Sequence, residues 1–130
     1  MSKADHGFYY GHESVAHTYY RIPKALFTDD EYKFLSTDAK VLYGLLLDRM
    51  GLSEKNEWVD ELNRVYIYYS VEEAMKQMNC ASQKVTKLFA ELDSKRGAGL
   101  ILRVRQGQGK PSRIYVKKFI PKEQTRPDPP

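Results

Sequence analysis

The chain has 130 residues, of which 42% are hydrophobic and 29% are charged. It therefore has the length of one domain and enough apolar residues to form a core. A single cysteine, Cys80, excludes an intramolecular disulfide and suits a reducing compartment. No apolar run approaches the roughly 18 residues that cross a bilayer, and no secretory signal is visible. We therefore expect a cytoplasmic protein without a membrane segment.

The first elements in chain order are an arm and a short helix. Residues 1–16 are polar and aromatic and are predicted to be an N-terminal arm. The β-prone run 17–22 stops at a proline, which cannot donate to a strand ladder. Thr28 is predicted to cap a short helix over 29–35, with Glu31 completing a capping box.

The strongest helix prediction is Thr37–Met50, capped by Ser36 or Thr37 and ended by Gly51. The apolar residues of the helix recur at helical spacing: Val41, Leu42, Leu45, Leu46 and Met50. Residues 52–63, which follow it, are polar and acidic, which is typical of a connecting segment.

A strand and a second helix follow. Arg64–Tyr69 is β-branched and aromatic, which predicts a short strand. Ser70 and Glu73 form a second capping box, which opens a helix over Val71–Met78. Asn79, Cys80 and Ala81 are predicted to form a tight turn.

A third helix and a β-hairpin complete the pattern. Ser82 is predicted to cap the helix, and Gly97 and Gly99 to end it. Leu100–Gln106 and Arg113–Phe119 are predicted strands around a glycine-rich turn. The buried stripe of the helix has the spacing i, i+3, i+4, i+7: Val85, Leu88, Phe89 and Leu92.

This element order predicts an α+β fold of the winged-helix type. A three-helix core contains a helix-turn-helix, and a C-terminal β-hairpin forms the wing. The winged-helix domain is predicted over residues 17–120. Residues 121–130 contain four prolines and are predicted to be a tail or the start of a linker.

The charge is concentrated in one third of the chain. Residues 82–118 carry ten lysines and arginines against two acids, a net charge of +8. The remainder has eleven bases against fifteen acids, a net charge of −4. The basic third coincides with the third helix and the hairpin, which favours a polyanionic partner. The alternative is a solvated charged face.

In a helix-turn-helix, the N-terminal residues of the second helix contact base edges. Glutamine pairs with adenine, lysine reaches guanine, and threonine bonds either a base or a phosphate. The polar face of an ordinary amphipathic helix is the competing interpretation. The candidate DNA-binding residues on this helix are Ser82, Gln83, Lys84, Thr86 and Lys87.

The hairpin supplies a second basic set. Gly107 and Gly109 allow the backbone to approach a phosphate closely. A basic wing suits the minor groove or the flanking backbone, although edge lysines also prevent aggregation. The candidates here are Arg103, Arg105, Gln108, Lys110 and Arg113.

Patterns for cofactor, metal or catalytic sites are missing from the sequence. A strand follows the Gly-x-Gly of 107–109, whereas a nucleotide-binding loop needs a helix. The spacing of the histidines 6, 12 and 17 with Cys80 fits no zinc site. The tyrosines lack the histidine and acid cluster that a nicking enzyme needs. We therefore expect no cofactor, no metal and no catalysis.

Six blocks of the sequence carry a resemblance to a known family: Tyr19–Phe27, Leu35–Tyr43, Leu45–Arg49, Val65–Tyr69, Leu100–Pro111 and Ile114–Val116. The combination of YYRIPKALF with RQGQGKP is the specific part of this pattern, which covers roughly residues 17–120. Together the blocks resemble the N-terminal domain of the RepA_N plasmid replication initiators of low-GC Gram-positive bacteria.

The resemblance implies a winged-helix domain that binds repeated sites in double-stranded DNA at a plasmid origin, commonly as a homodimer. It implies that the helix over 82–95 reads the major groove and that the wing over 103–113 contacts the flanking groove. It also implies a further C-terminal domain, through which host replication proteins would be contacted. We predict that the dimer forms through the tyrosine-rich region 9–20.

Other functions are compatible with the residues themselves. A transcriptional regulator would share the fold and bind a promoter palindrome instead of origin repeats. A winged helix that binds proteins would use the basic strip on an acidic partner. A nicking enzyme is the fourth hypothesis, and the missing metal cluster disfavours it.

Overall fold

The computed structural model describes residues 6–11 and 18–118. The main helices are α2 (Thr37–Asn56), α3 (Val71–Met78) and α4 (Ser82–Leu92), and they precede an antiparallel hairpin. This is the predicted winged-helix order. The predicted domain boundaries lie outside the described residues, as do the tail, most of the arm, His12, His17 and Phe119. The full element order is α1 (Ala25–Thr28), a 3₁₀ turn (Asp30–Tyr32), α2, α3, α4, β1 (Ile101–Val104) and β2 (Arg113–Val116).

The first turns differ from the predicted helix over 29–35. The Thr28 hydroxyl donates to the Lys24 carbonyl at 3.2 Å at the end of α1, so it does not cap the 3₁₀ turn. Asp29 is the capping residue and accepts from the Glu31 amide at 3.0 Å. The capping assignment to Thr28 was therefore wrong, because that hydroxyl is bonded to the preceding turn.

Helix α2 begins where predicted but ends six residues later. Ser36 caps it by accepting from the Ala39 amide at 3.1 Å. Gly51 lies inside the helix, and the left-handed residue at its end is Glu57. The buried Ser53 hydroxyl donates to the Tyr66 carbonyl at 2.7 Å, which anchors the last turns. This tertiary contact outweighs the cost of about 1 kcal/mol for an interior glycine.

The predicted strand Arg64–Tyr69 is extended but forms only single bridges. Val65 pairs with Val59 across a tight turn, and Ile67 pairs with Ile114 of β2. The Ile67 amide donates to the Ile114 carbonyl at 2.8 Å, and the reverse bond measures 2.9 Å. The backbone of the segment thus pairs with the hairpin at one point, and residues 52–56 of the predicted connection belong to α2.

The helix-turn-helix forms largely as predicted. The capping box of Ser70 and Glu73 is present at the start of α3. Ser82 is the first residue of α4 and not its cap, because Ala81 occupies that position without a side-chain bond. Helix α4 ends at Leu92 instead of Gly97, since the next residue is extended and Asp93 pairs with Ile101.

The core lies between the three helices and the inner face of the hairpin. The predicted stripe of α4 is fully buried, as are Leu42, Leu45 and Leu46 of α2. The hairpin contributes Ile101 and Ile114, and it is tied to α2 by the Tyr43 hydroxyl, which donates to the Lys117 carbonyl at 2.6 Å. Burial of this kind fixes where α4 and the wing stand relative to the core.

Candidate nucleic-acid interface

The five candidate residues of α4 are all exposed. Because the opposite stripe is buried, helical geometry places Gln83 and Lys87 at the outermost point of the helix. Thr86 lies on one flank and Lys84 on the other. The outward face is thus free to approach a DNA groove.

Lys84 forms an ion pair on its flank of the helix. Its Nζ lies 2.7 Å from Oδ2 of Asp38, in the first turn of α2. The hydrogen bond and the charge of that carboxylate raise the pKa of Lys84. The side chain is therefore charged and directed toward α2 in the free protein.

Glu91 holds the same two helices together farther along α4. Its carboxylate accepts from the Ser36 amide at 2.7 Å and from the Ser36 hydroxyl at 2.9 Å. These bonds join the N-terminus of α2 to α4 and set the orientation of the candidate reading face. Neither Glu91 nor Asp38 was predicted, since their partners are 55 and 46 residues away in the sequence.

The loop of the wing presents the second exposed set. Arg105, Gln108 and Lys110 are all exposed between β1 and β2. Gly107 and Gly109 have φ angles of 126° and 79°, as their predicted role in the turn requires. This loop can bring two cations and open backbone to a phosphate strand.

Arg103 lies on the inner face of the hairpin, paired across the strands with Ile114. Its Nη2 lies 3.3 Å from Oδ2 of Asp93, and its guanidinium stacks over Phe89 at 5.1 Å from the ring centroid. Arg103 is half-buried and braces the wing against α4. This bracing contact was not predicted, because it depends on how the hairpin folds back.

Arg113 lies on the outer face of the hairpin, opposite Val104. Its guanidinium stacks 4.4 Å from the centroid of the Tyr66 ring, and a hydrogen bond with Tyr115 raises its pKa. The hairpin thus separates Arg103 and Arg113 onto its two faces. The structure brings together Arg103 and Arg105, which with Lys95 line an open cleft of about 550 Å³ beside β1.

A buried acid supports the outer face. The carboxylate of Asp60 accepts from the Leu62 and Arg64 amides, from Arg64 Nε at 2.8 Å and from the Tyr115 hydroxyl at 2.9 Å. It joins the 58–65 turn to β2 of the wing. Asp60 was not predicted, because a polar connecting segment gives no sign of a buried acceptor.

No three His, Cys, Asp or Glu side chains converge within residues 6–11 and 18–118. In the same part of the chain, none of the helices has the length and apolar character needed to traverse a bilayer.

Known proteins are similar to this chain in sequence and in fold. The family described as "Replication initiator protein A (RepA) N-terminus" matches residues 18–127. A "41 kDa protein" of Lactobacillus helveticus is 31% identical over 107 residues, which is 78% of this chain and 30% of that protein. The chain therefore spans less than a third of the length of this relative.

Solved structures are similar as well, among them the following three. "N-Terminal domain of DNA binding protein" is 41% identical with a TM-score of 0.71, covering 82% of this chain and 79% of that one. "Structure of Rep-DNA complex" is 42% identical with a TM-score of 0.69, covering 79% and 77%. "Structure of MDR initiator" is 34% identical with a TM-score of 0.69, covering 82% of both. The resemblance and the winged-helix fold inferred from the sequence are confirmed, and the chain belongs to the family of replication initiator protein A N-termini.

Proposed function

We propose that this chain binds duplex DNA in a sequence-specific manner at repeated sites of a plasmid origin, and that this binding initiates or regulates plasmid replication. The observation that carries the proposal is the exposed polar face of α4 beside a basic wing, in a family described as replication initiators. The Rep-DNA complex among the similar structures supports DNA as the partner. Plasmid DNA as the target implies action in the cytoplasm.

The test is a salt series of fluorescence-anisotropy binding. The probes are a duplex selected by the protein from a random-sequence pool and a scrambled duplex of the same composition. We expect a preference of about 10³–10⁷-fold at physiological salt. Direct repeats in the selected duplex would support a plasmid origin as the target, whereas a palindrome would favour the role of a transcriptional regulator. A selection that enriches no sequence, with no binding to random duplex at low salt, would contradict the proposal and favour a protein partner.

Gln83→Ala is expected to weaken binding to the selected duplex by about 1–3 kcal/mol and to leave binding to the scrambled duplex unchanged. The reason is that Gln83 lies at the outermost point of α4, where an amide can pair with a base edge. Anisotropy titration of both duplexes measures this. Equal weakening on both would mean that Gln83 contacts the backbone.

Lys110→Ala is expected to weaken binding to both duplexes similarly. The exposed ammonium at the wing tip would neutralise one phosphate, so the slope of log K against log salt should fall by about 1. Arg105→Ala should behave in the same way. A loss confined to the selected duplex would instead assign the wing to base recognition.

We further propose that the protein acts as a homodimer through the aromatic region 9–20. In the described part of this region the exposed aromatic side chains are Tyr9, Tyr10, Tyr19 and Tyr20, with Phe8 beside them. Sedimentation velocity across a concentration series tests this, and a monomer at the highest concentration would contradict it. Contact with host replication proteins is proposed only for a longer protein, of the length of the Lactobacillus helveticus relative.

We also infer that the chain acts by binding and not by catalysis. The hydroxyls of Tyr43, Tyr69 and Tyr115 are engaged in hydrogen bonds with the Lys117 carbonyl, Gln77 and Asp60. No metal, cofactor or reaction is needed for the proposed role. Nicking of supercoiled plasmid by the purified protein with magnesium or manganese would contradict this inference.

A further inference from the structure

The ion pair between α2 and α4 stands at the border of the candidate reading face. Lys84 and Asp38 have side chains that are 53% and 46% exposed. Residues near the start of a recognition helix are those that meet base edges. Asp38 therefore places a carboxylate beside a face of the protein that is expected to approach a polyanion.

The pair contributes little to holding α2 on α4. Glu91 already binds the amide and the hydroxyl of Ser36, and Ser36 caps α2 on its own. The buried stripe of α4 packs against the core as well. An ion pair this exposed adds little stability in water.

The geometry of the pair limits what Lys84 can do. An ammonium has three N–H donors, and Asp38 accepts one of them at 2.7 Å. The other two remain available, but the flexible four-carbon stem is held in one direction. Lys87 forms no ion pair among the described residues, so it is free to follow a phosphate.

We propose that Asp38 is a specificity-determining positioning residue, which orients Lys84 toward a base edge and withholds it from phosphates. The proposal rests on the proposed DNA-binding function. In the complex with the selected duplex the pair of Lys84 and Asp38 is retained, and the two other N–H groups of Lys84 donate hydrogen bonds to the base. Because the pair already orders the Lys84 side chain in the free protein, binding costs no further rotamer freedom. On other sequences Lys84 stays with Asp38 and contributes no phosphate contact.

The test is Asp38→Asn in the anisotropy series. Without the carboxylate, Lys84 is free to bind phosphates, so affinity for the scrambled duplex should rise about two- to fivefold, as expected from the strength of an exposed ion pair. The salt slope on that duplex should steepen by about 1. The ratio of selected to scrambled affinity should fall by at least the same factor. An unchanged ratio would overturn the proposal.

Asp30→Asn is the matched control. It removes the same charge from another exposed aspartate–lysine pair, in which Asp30 lies 2.7 Å from Lys33. This variant should change both affinities together and keep the ratio. Asp38→Glu keeps the carboxylate and should retain most of the preference.

Two further measurements separate the possible causes. In a Lys84→Ala background, Asp38→Asn should no longer alter the ratio of selected to scrambled affinity. If the ratio instead depended on direct repulsion between Asp38 and DNA, Asp38→Asn would still change it in that background. A melting curve of Asp38→Asn verifies that the fold is intact. If the selection enriches no sequence and the unmodified protein binds no duplex at low salt, the proposed function fails. If it shows a preference that Asp38→Asn leaves unchanged, only this inference fails.

Discussion

Asp60→Ala is expected to lower the melting temperature by about 5–10 °C at pH 7, because four hydrogen bonds lose their acceptor. The side chain of Asp60 is only 1% exposed, so water cannot replace the carboxylate at the Leu62 and Arg64 amides without rearrangement. Loss of the Tyr115 bond also releases β2 from the 58–65 turn. Thermal unfolding followed by circular dichroism measures the effect.

Glu61→Ala is the matched control for this substitution. It removes an exposed acid from the same turn and should change the melting temperature little. A comparable loss in both variants would mean that the turn itself, and not the Asp60 acceptor, limits stability.

The stabilisation by Asp60 should depend on pH in a defined direction. Burial raises the pKa of this carboxyl, but the hydrogen bonds from Arg64, Tyr115 and Leu62 outweigh it and hold the pKa well below its usual range. A lowered pKa in the folded state stabilises the protein fully above the unfolded value of about 3.9 and does so less as the pH falls below it.

The difference in melting temperature between the unmodified protein and Asp60→Ala should therefore stay constant from pH 7 to 5. It should shrink below about pH 4, when the unfolded chain takes up a proton before the folded one does. A difference that grows as the pH falls from 7 to 5 would show that burial dominates and that the pKa is raised.

Local patterns were sufficient for the elements that depend on neighbouring residues. The capping box of Ser70 and Glu73 and the stripe from Val85 to Leu92 use spacings within one helix, so the sequence displays them directly. The positive φ angles of the wing glycines follow from the same kind of local argument. These features were enough to predict the winged-helix order and the exposed face of α4.

The missed features depend on contacts between distant residues. Helix α2 continues through Gly51 because Ser53 reaches Tyr66, and Asp38 and Glu91 act through partners in other helices. The placement of the hairpin arginines on opposite faces depends on strand register, which the sequence pattern left open. Tertiary packing decided each of these, and it also decided which candidate cations remain free.

Gly97→Ala is expected to destabilise the protein by about 2–4 kcal/mol. Gly97 lies in the loop that connects α4 to β1, where its amide donates to the Asp93 carbonyl at 2.8 Å. A methyl group there would overlap the carbonyl oxygens of Glu91 and Ala90. These carbonyl groups belong to the backbone and cannot rotate away as a side chain would. The loop must therefore open and lose the hydrogen bond from the Ala98 amide to the Glu91 carbonyl. Urea unfolding at neutral pH measures the change.

Gly51→Ala supplies the control, because the same substitution meets no other atom within 4 Å on the exposed side of α2. Alanine has the higher helix propensity, so this variant should be more stable by about 0.5–1 kcal/mol. Opposite changes in the free energy of unfolding at the two glycines would separate steric overlap from a general effect of an added methyl group. If Gly97→Ala unfolded at the same urea midpoint as the unmodified protein, the loop would accommodate a side chain. The connection from α4 to the wing would then be looser than the structure shows, and α4 would not fix the position of the wing.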